Sequence, residues 1–229
     1  MFYFDRTMLY LLPGLLLSLW AQFKIQSAYR TYSAVPTRRG IPAWQAVKAL
    51  LTSQNAGYVR IEPVSGQLTD HFDPKDDTLR LSEGVYDSSS VAAVAIAAHE
   101  AGHALQKQEH YPFLSLRTVM VPVVNIGSSL SWPIFVVGLI FSWKPLLTAG
   151  IVLFSLVVAF SLVTLPVEFN ASHRALAQLT ACGQYTEEEL SGMKKVLTAA
   201  ALTYVASFFS AIMQLLRLLA LANRGDRDR

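Results

Sequence analysis

Two uncharged apolar runs lie back to back in this chain, one from Arg117 to Lys144 and one from Lys144 to Glu168. Each is long enough to cross a bilayer. In hydrocarbon every backbone polar group must be bonded within the protein, so a spanning segment has to be a helix or part of a closed barrel. Ser142-Trp143-Lys144-Pro145 joins the runs as a tight turn with an interfacial tryptophan. Residues 119–167 are therefore predicted to form a transmembrane hairpin. A Leu-rich run from Thr7 to Phe23 predicts a membrane anchor over residues 1–23. No small-residue cleavage site follows it, which favours an anchor over a signal peptide. A last run, Val196 to Leu216, predicts a fourth span within residues 196–222, with Arg217 snorkelling to the interface. Charged residues make up only 15% of the chain, against about 25% in soluble domains.

Residues 24–118 are polar enough to be water-soluble. Trp44 to Thr52 reads as a short amphipathic helix, and Val59 to Glu62 as a strand. Gly66 to Phe72 and Leu79-Arg80-Leu81 flank the turn cluster Asp73 to Asp77, so residues 66–82 are predicted to be a β-hairpin. Asp87-Ser88-Ser89-Ser90 offers an N-cap for an Ala-rich helix from Val91 to Gln106. Residues 168–195 are polar again and predicted helical. Thr186-Glu187-Glu188-Glu189 is a capping box that opens the last helix. Residues 223–229 are expected to be an unstructured tail. The expected fold class is a mostly α membrane protein with a small β-hairpin and about four transmembrane helices.

His99-Glu100-Ala101-Gly102-His103 places two imidazoles at positions i and i+4 of the Ala-rich helix. Those positions share one face, so both rings point at one spot. That is the spacing for two ligands of one tetrahedral zinc. Glu100 is displaced around the helix. It is expected to take a proton from a zinc-activated water and to pass it to a leaving amine. Coincidence is the bland reading, but two His and a Glu in an Ala-Val-Ile helix are costly without partners. Gly102 also costs about 1 kcal/mol relative to Ala in a helix interior. Close approach of another backbone would account for it.

At least one further protein ligand is needed. The lone Cys182 excludes a Cys-based site. His110 follows the helix too closely to reach back, which leaves His71, His173 and Glu168. Glu168 is the better candidate, as a carboxylate expected where a membrane helix ends just after Pro166. The bland alternative is a carboxylate at a helix terminus. Two predicted spans separate His103 from Glu168, and an even number returns the chain to the same side of the membrane.

These residues resemble the bacterial membrane-bound neutral zinc metallopeptidases, the YugP-like family. The resemblance rests on Leu68 to Pro74 with Leu79 to Ser82, on Ala97 to Gln106, on Leu165 to Ser172 and on Lys195 to Val205. The order of elements is more distantly similar to the HtpX and CAAX-prenyl-protease membrane gluzincins. The resemblance implies a zincin-like metallopeptidase core and places the third ligand on Glu168. Those distant families carry an acidic residue four positions later, where this chain has Ser172. Asn170 or Ser172 is then expected to orient a ligand histidine.

The expected function is a membrane-bound zinc endopeptidase with His99, His103 and Glu168 on one Zn2+ per chain and Glu100 as base. Its expected partners are a peptide or membrane-protein substrate and the lipid bilayer. No phosphate loop or aromatic-basic platform points to nucleic acid. A site-2-type intramembrane protease is a competing reading, but no Asp-Gly pair stands in a late apolar run. A scaffold with structural zinc is another, but it leaves Glu100 without a task. His173, Arg174 and Tyr185 are weak candidates for stabilising an oxyanion. Lys24, Arg30, Arg38 and Arg39 follow the first span, and only Arg6 precedes it. The expected site is a multi-pass cell-membrane protein with residues 24–118 and the active site in the cytoplasm. Arg224, Arg227 and Arg229 oppose that orientation if the last helix crosses.

Overall fold

A computed structural model describes residues 6–227. The protein is mostly helical, with one three-stranded sheet. In chain order it has α1 (Leu12–Ser33, after a 3-10 turn at Arg6–Leu11), α2 (Ala43–Ser53), β1 (Arg60–Val64), β2 (His71–Asp73), β3 (Thr78–Ser82) and α3 (Glu83–Tyr86). These are followed by α4 (Val91–Gln108), α5 (Pro112–Ile140), α6 (Lys144–Ala181) and α7 (Glu187–Arg227). Four segments have the length and composition to cross a membrane: Thr7–Ser33, Pro112–Ile140, Lys144–Ala181 and Glu187–Asn223. The side chains of Arg6, Arg224, Arg227 and Arg229, on which the charge reading partly rests, lie outside the described residues.

The chain divides into two compact units. One comprises residues 1–21, 116–165 and 203–229. Phe135, Leu147 and Leu218 form its small buried core. A Cβ on Gly150 would stand 2.9 Å from the Ser131 carbonyl and 2.7 Å from the Phe135 Cβ. Glycine there lets α5 and α6 approach closely, as small residues do between membrane helices. The serines of α5 bond back to their own helix, Ser128 Oγ to Asn125 O at 3.2 Å and Ser131 Oγ to Ser128 O at 3.0 Å. Such hydroxyls need no water, which suits them to a span. Pro122 and Pro133 lie inside α5, which stays helical around both.

The other unit comprises residues 22–115 and 166–202. At its centre is α4, whose run from Val91 to Ala98 is buried except for Ile96. A helix that is apolar nearly all round belongs in a core. Ser90 caps it, with Oγ accepting from the Ala93 N–H at 3.2 Å. Around α4 pack Val47 and Leu51 of α2, Leu79 and Leu81 of β3, and Met193, Val196 and Leu197 of α7. The capping box closes reciprocally: Glu189 N–H donates to Thr186 Oγ1 at 3.2 Å, and Thr186 N–H to Glu189 Oε2 at 2.7 Å.

Several boundaries differ from the sequence reading. The hairpin is shorter than 66–82, because β2 begins only at His71. Gly66 and Leu68 both have positive φ, which breaks an extended chain. The Asp70 carboxylate is occupied by the N–H and hydroxyl of Ser82, at 2.8 and 3.0 Å. β3 pairs antiparallel with β2 and parallel with β1, so it is the central strand and β2 an edge. The spanning helix does not end at Glu168, since α6 runs through Pro166 to Ala181. Proline removes one amide donor, and here the flanking turns carry the helix past it. The last helix continues to Arg227, beyond the expected start of the tail; residues 228 and 229 lie outside the described residues.

Candidate metal centre

His99 and His103 lie one turn apart on α4 with ring centroids 4.8 Å apart and planes at 84°. Glu168 comes to them from α6. Its Oε2 lies 3.2 Å from His99 Nε2 and 3.6 Å from His103 Nε2. Glu168 is only 2% exposed. One ligand atom from each residue falls within 4.8 Å of the others, a grouping that could hold a metal ion. It is the one such group of His, Cys, Asp and Glu among the described residues.

Gly102 makes the approach of α6 possible. A Cβ at that position would stand 2.5 Å from the Ala171 carbonyl oxygen and 3.1 Å from its Cα. The α6 backbone therefore sits where any other residue would put a side chain. The close approach that the sequence asked of Gly102 is that of the helix carrying Glu168.

The remaining ring nitrogens are also engaged. His99 Nδ1 lies 3.1 Å from Ser172 Oγ. His103 Nδ1 lies 3.0 Å from Gln106 Oε1. Ser172 is one of the two residues expected to orient a ligand histidine. Asn170 hydrogen-bonds neither ring; its Oδ1 accepts from Gln106 Nε2 at 2.9 Å. Gln106 was not singled out from the sequence. Its place three residues after His103, on the same helix face, is the signal that could have found it.

Glu100 points to neither His99 nor His103 as a hydrogen-bond partner. Its Oε2 accepts the backbone N–H of Phe72 at 3.1 Å. Burial pushes its carboxyl above the usual range, while the nearby His99 and His103 pull the other way. Burial acts against the charged form of His103, yet the Glu168 carboxylate 3.6 Å away and the charge of Glu100 raise it overall.

The other candidates stand apart. His71 is exposed on β2, with Nδ1 2.8 Å from the Thr69 carbonyl. His110 and His173 are both exposed. Arg174 is committed to Asn170 Oδ1 at 2.7 Å and Glu109 Oε1 at 2.6 Å. Burial raises the Tyr185 phenol to about 12, and the residue packs against the core formed by α2 and α4.

The family model described as "Putative neutral zinc metallopeptidase" matches residues 7–223. The chain is also 45% identical over 201 residues to the "Putative membrane protease YugP" of Bacillus subtilis (strain 168), covering 88% of this chain and 89% of that protein. No solved structure matches significantly. The chain belongs to this family of neutral zinc metallopeptidases, and its apolar helices and its similarity to a membrane protease make it a membrane-associated member. The family implies zinc, and two imidazoles with one carboxylate are a donor set suited to it.

Proposed function

We propose that the protein is a membrane-bound endopeptidase that hydrolyses peptide bonds at one zinc per chain, held by His99, His103 and Glu168. The observation that carries this reading is the convergence of those three residues within 4.8 Å beside Glu100. Three protein ligands leave room for a reacting molecule, as in catalytic rather than structural sites. Zinc in such a site supplies a Lewis acid that polarises a carbonyl and lowers the pKa of water.

The protein's own groups do the rest. Glu100 takes a proton from the attacking water and delivers it to the leaving nitrogen. Its carboxyl, raised by burial, is suited to holding a proton between those two events. The Phe72 N–H keeps one carboxylate oxygen fixed, so the base need not search for its position. Ser172 and Gln106 hold the two imidazole rings in orientation.

The substrate in this reading is an extended peptide lying along β2. In an antiparallel pair, residues whose N–H does not meet the partner strand turn it outward. Phe72, opposite Leu79, turns its N–H to Glu100 on the side away from β3. With that N–H held by Glu100, a further strand added to this edge would meet the Phe72 carbonyl, which the same geometry turns outward. The substrate class is a peptide segment or a membrane protein near the bilayer. The proposed placement is multi-pass, with the site on the cytoplasmic side.

Incubation of the detergent-purified protein with a mixed peptide library tests the reading. Mass spectrometry is expected to find internal cleavages that stop with a chelator and resume on adding zinc. No cleavage by fully zinc-loaded protein across a diverse library, in detergent and in vesicles alike, would count against an endopeptidase.

A further inference from the structure

Gln106 is fully buried, at 0% exposure. Its Nε2 has two hydrogens, and both find acceptors: the Val167 carbonyl at 2.7 Å and Asn170 Oδ1 at 2.9 Å. A backbone carbonyl can only accept, so the amide has one orientation. Its Oε1 must be the atom that faces His103 Nδ1 at 3.0 Å. Asn170 is oriented from the far side. Arg174 has donors only, and its Nε meets Asn170 Oδ1 at 2.7 Å. Arg174 Nη1 in turn donates to Glu109 Oε1 at 2.6 Å.

The donors converge on Asn170 Oδ1, which accepts from Arg174 Nε on one side and from Gln106 Nε2 on the other. With the Gln106 amide so oriented, its Oε1 can only accept, and the His103 Nδ1 facing it must donate. A neutral imidazole with N–H at Nδ1 carries its lone pair at Nε2. Nε2 is the atom of His103 that faces Glu168. His99 has no equivalent, because the Ser172 hydroxyl can donate or accept.

We propose that Gln106, oriented by the Val167 carbonyl and by Asn170 backed by Arg174, is the positioning residue that reserves Nε2 of His103 for the metal. The same side chain ties α4 to the residue preceding Glu168, so it also sets how close the two ligands stand. This inference rests on His99, His103 and Glu168 being the metal ligands. It adds which groups make His103 a competent one.

The test uses the full-length protein in detergent. Zinc affinity is measured by chelator competition, and the His103 Nδ1–H proton is followed by NMR of zinc-loaded, 15N-histidine-labelled protein. Wild type is expected to show a slowly exchanging, hydrogen-bonded Nδ1–H. Gln106→Met is expected to lose that signal and to bind zinc roughly ten- to a hundredfold more weakly. Because Gln106 lies in the core, a second comparison keeps the test at the periphery. The double exchange Arg174→Glu with Glu109→Arg retains an ion pair but presents an acceptor to Asn170, so zinc binding is expected to weaken several-fold. Asn170→Asp still accepts from both neighbours and is expected to bind zinc about as tightly as wild type. A purely structural role for this corner predicts no difference between these last two variants. Wild-type affinity and an intact Nδ1–H in both Gln106→Met and the double exchange overturn the proposal while leaving the metal centre standing. Failure of wild type itself to take up zinc overturns both.

Discussion

The backbone N–H of Phe72 donates to Oε2 of Glu100 at 3.1 Å, which couples the edge strand β2 directly to the carboxylate beside the two histidines. The strand is itself held in place from α4. Lys107 Nζ donates to the Pro74 carbonyl at 2.5 Å and to Asp77 Oδ1 at 2.6 Å, so the turn after β2 is fastened one helical turn beyond His103. Lys107→Met releases that fastening without touching the histidines. The expected outcome is zinc binding unchanged and a several-fold loss in kcat/KM for peptide hydrolysis. Equal kcat/KM in variant and wild type would show that the turn does not position the strand.

Glu100→Gln separates base from ligand. The amide keeps the shape of the carboxylate and can still accept the Phe72 N–H, but it cannot take up a proton. Zinc content is expected to remain at about one per chain while hydrolysis falls by roughly 10²–10⁴-fold. Elemental analysis and peptide turnover on the same preparation give both numbers. Retained turnover at the wild-type rate would remove Glu100 from the chemistry.

Glu168→Ala removes the carboxylate that faces both Nε2 atoms, at 3.2 and 3.6 Å. Its zinc is expected to be lost on dialysis under conditions in which wild type keeps it. His71→Ala and His173→Ala are the controls, since both residues are exposed. Their zinc content is expected to match that of wild type. Loss of zinc in His71→Ala with retention in Glu168→Ala would reverse the ligand assignment.

Gly102→Ala tests the helix contact. The added methyl would meet the Ala171 carbonyl oxygen at 2.5 Å, and that neighbour is backbone in the middle of α6. The helices must part. Overpacking of this kind costs about 1–3 kcal/mol. Since the displaced helix carries Glu168, zinc affinity is expected to fall along with the melting temperature. An unchanged affinity would mean that the site tolerates a wider α4–α6 spacing.

Much of this arrangement was legible in the sequence because its signals are local. Helix periodicity alone puts His99 and His103 on one face, and unbroken apolarity marks the spans. Ser90 and Thr186 are caps whose partners lie three residues away. What was not legible depends on distant chain segments. The parallel pairing of β1 with β3 leaves no mark in either strand. The passage of α6 through Pro166 looked like an ending, because proline is a stop signal unless the surrounding turns carry the helix on. Gln106 looked like one more polar residue near a helix end. Its role depends on Val167 and Asn170, about sixty positions away.

The distribution of basic residues argues for one side of the membrane. Lys24, Arg30, Arg38 and Arg39 follow the first apolar run, and Arg174, Lys194 and Lys195 lie in the same compact unit as the site. Basic residues near spans favour the cytoplasmic face. In the proposed multi-pass placement, the two candidate spans between His103 and Glu168, Pro112–Ile140 and the start of Lys144–Ala181, would return the chain to the side it left. His110 lies in the short link between α4 and α5, where it is exposed. Replacing Cys182 by Ser and placing a single cysteine at His110 provides the probe. An impermeant maleimide is expected to leave intact cells unlabelled and to react once the membrane is opened. Labelling from outside intact cells would place the centre on the outer face. The residues proposed to hold zinc would be unaffected, but the substrates would have to be sought among extracytoplasmic segments.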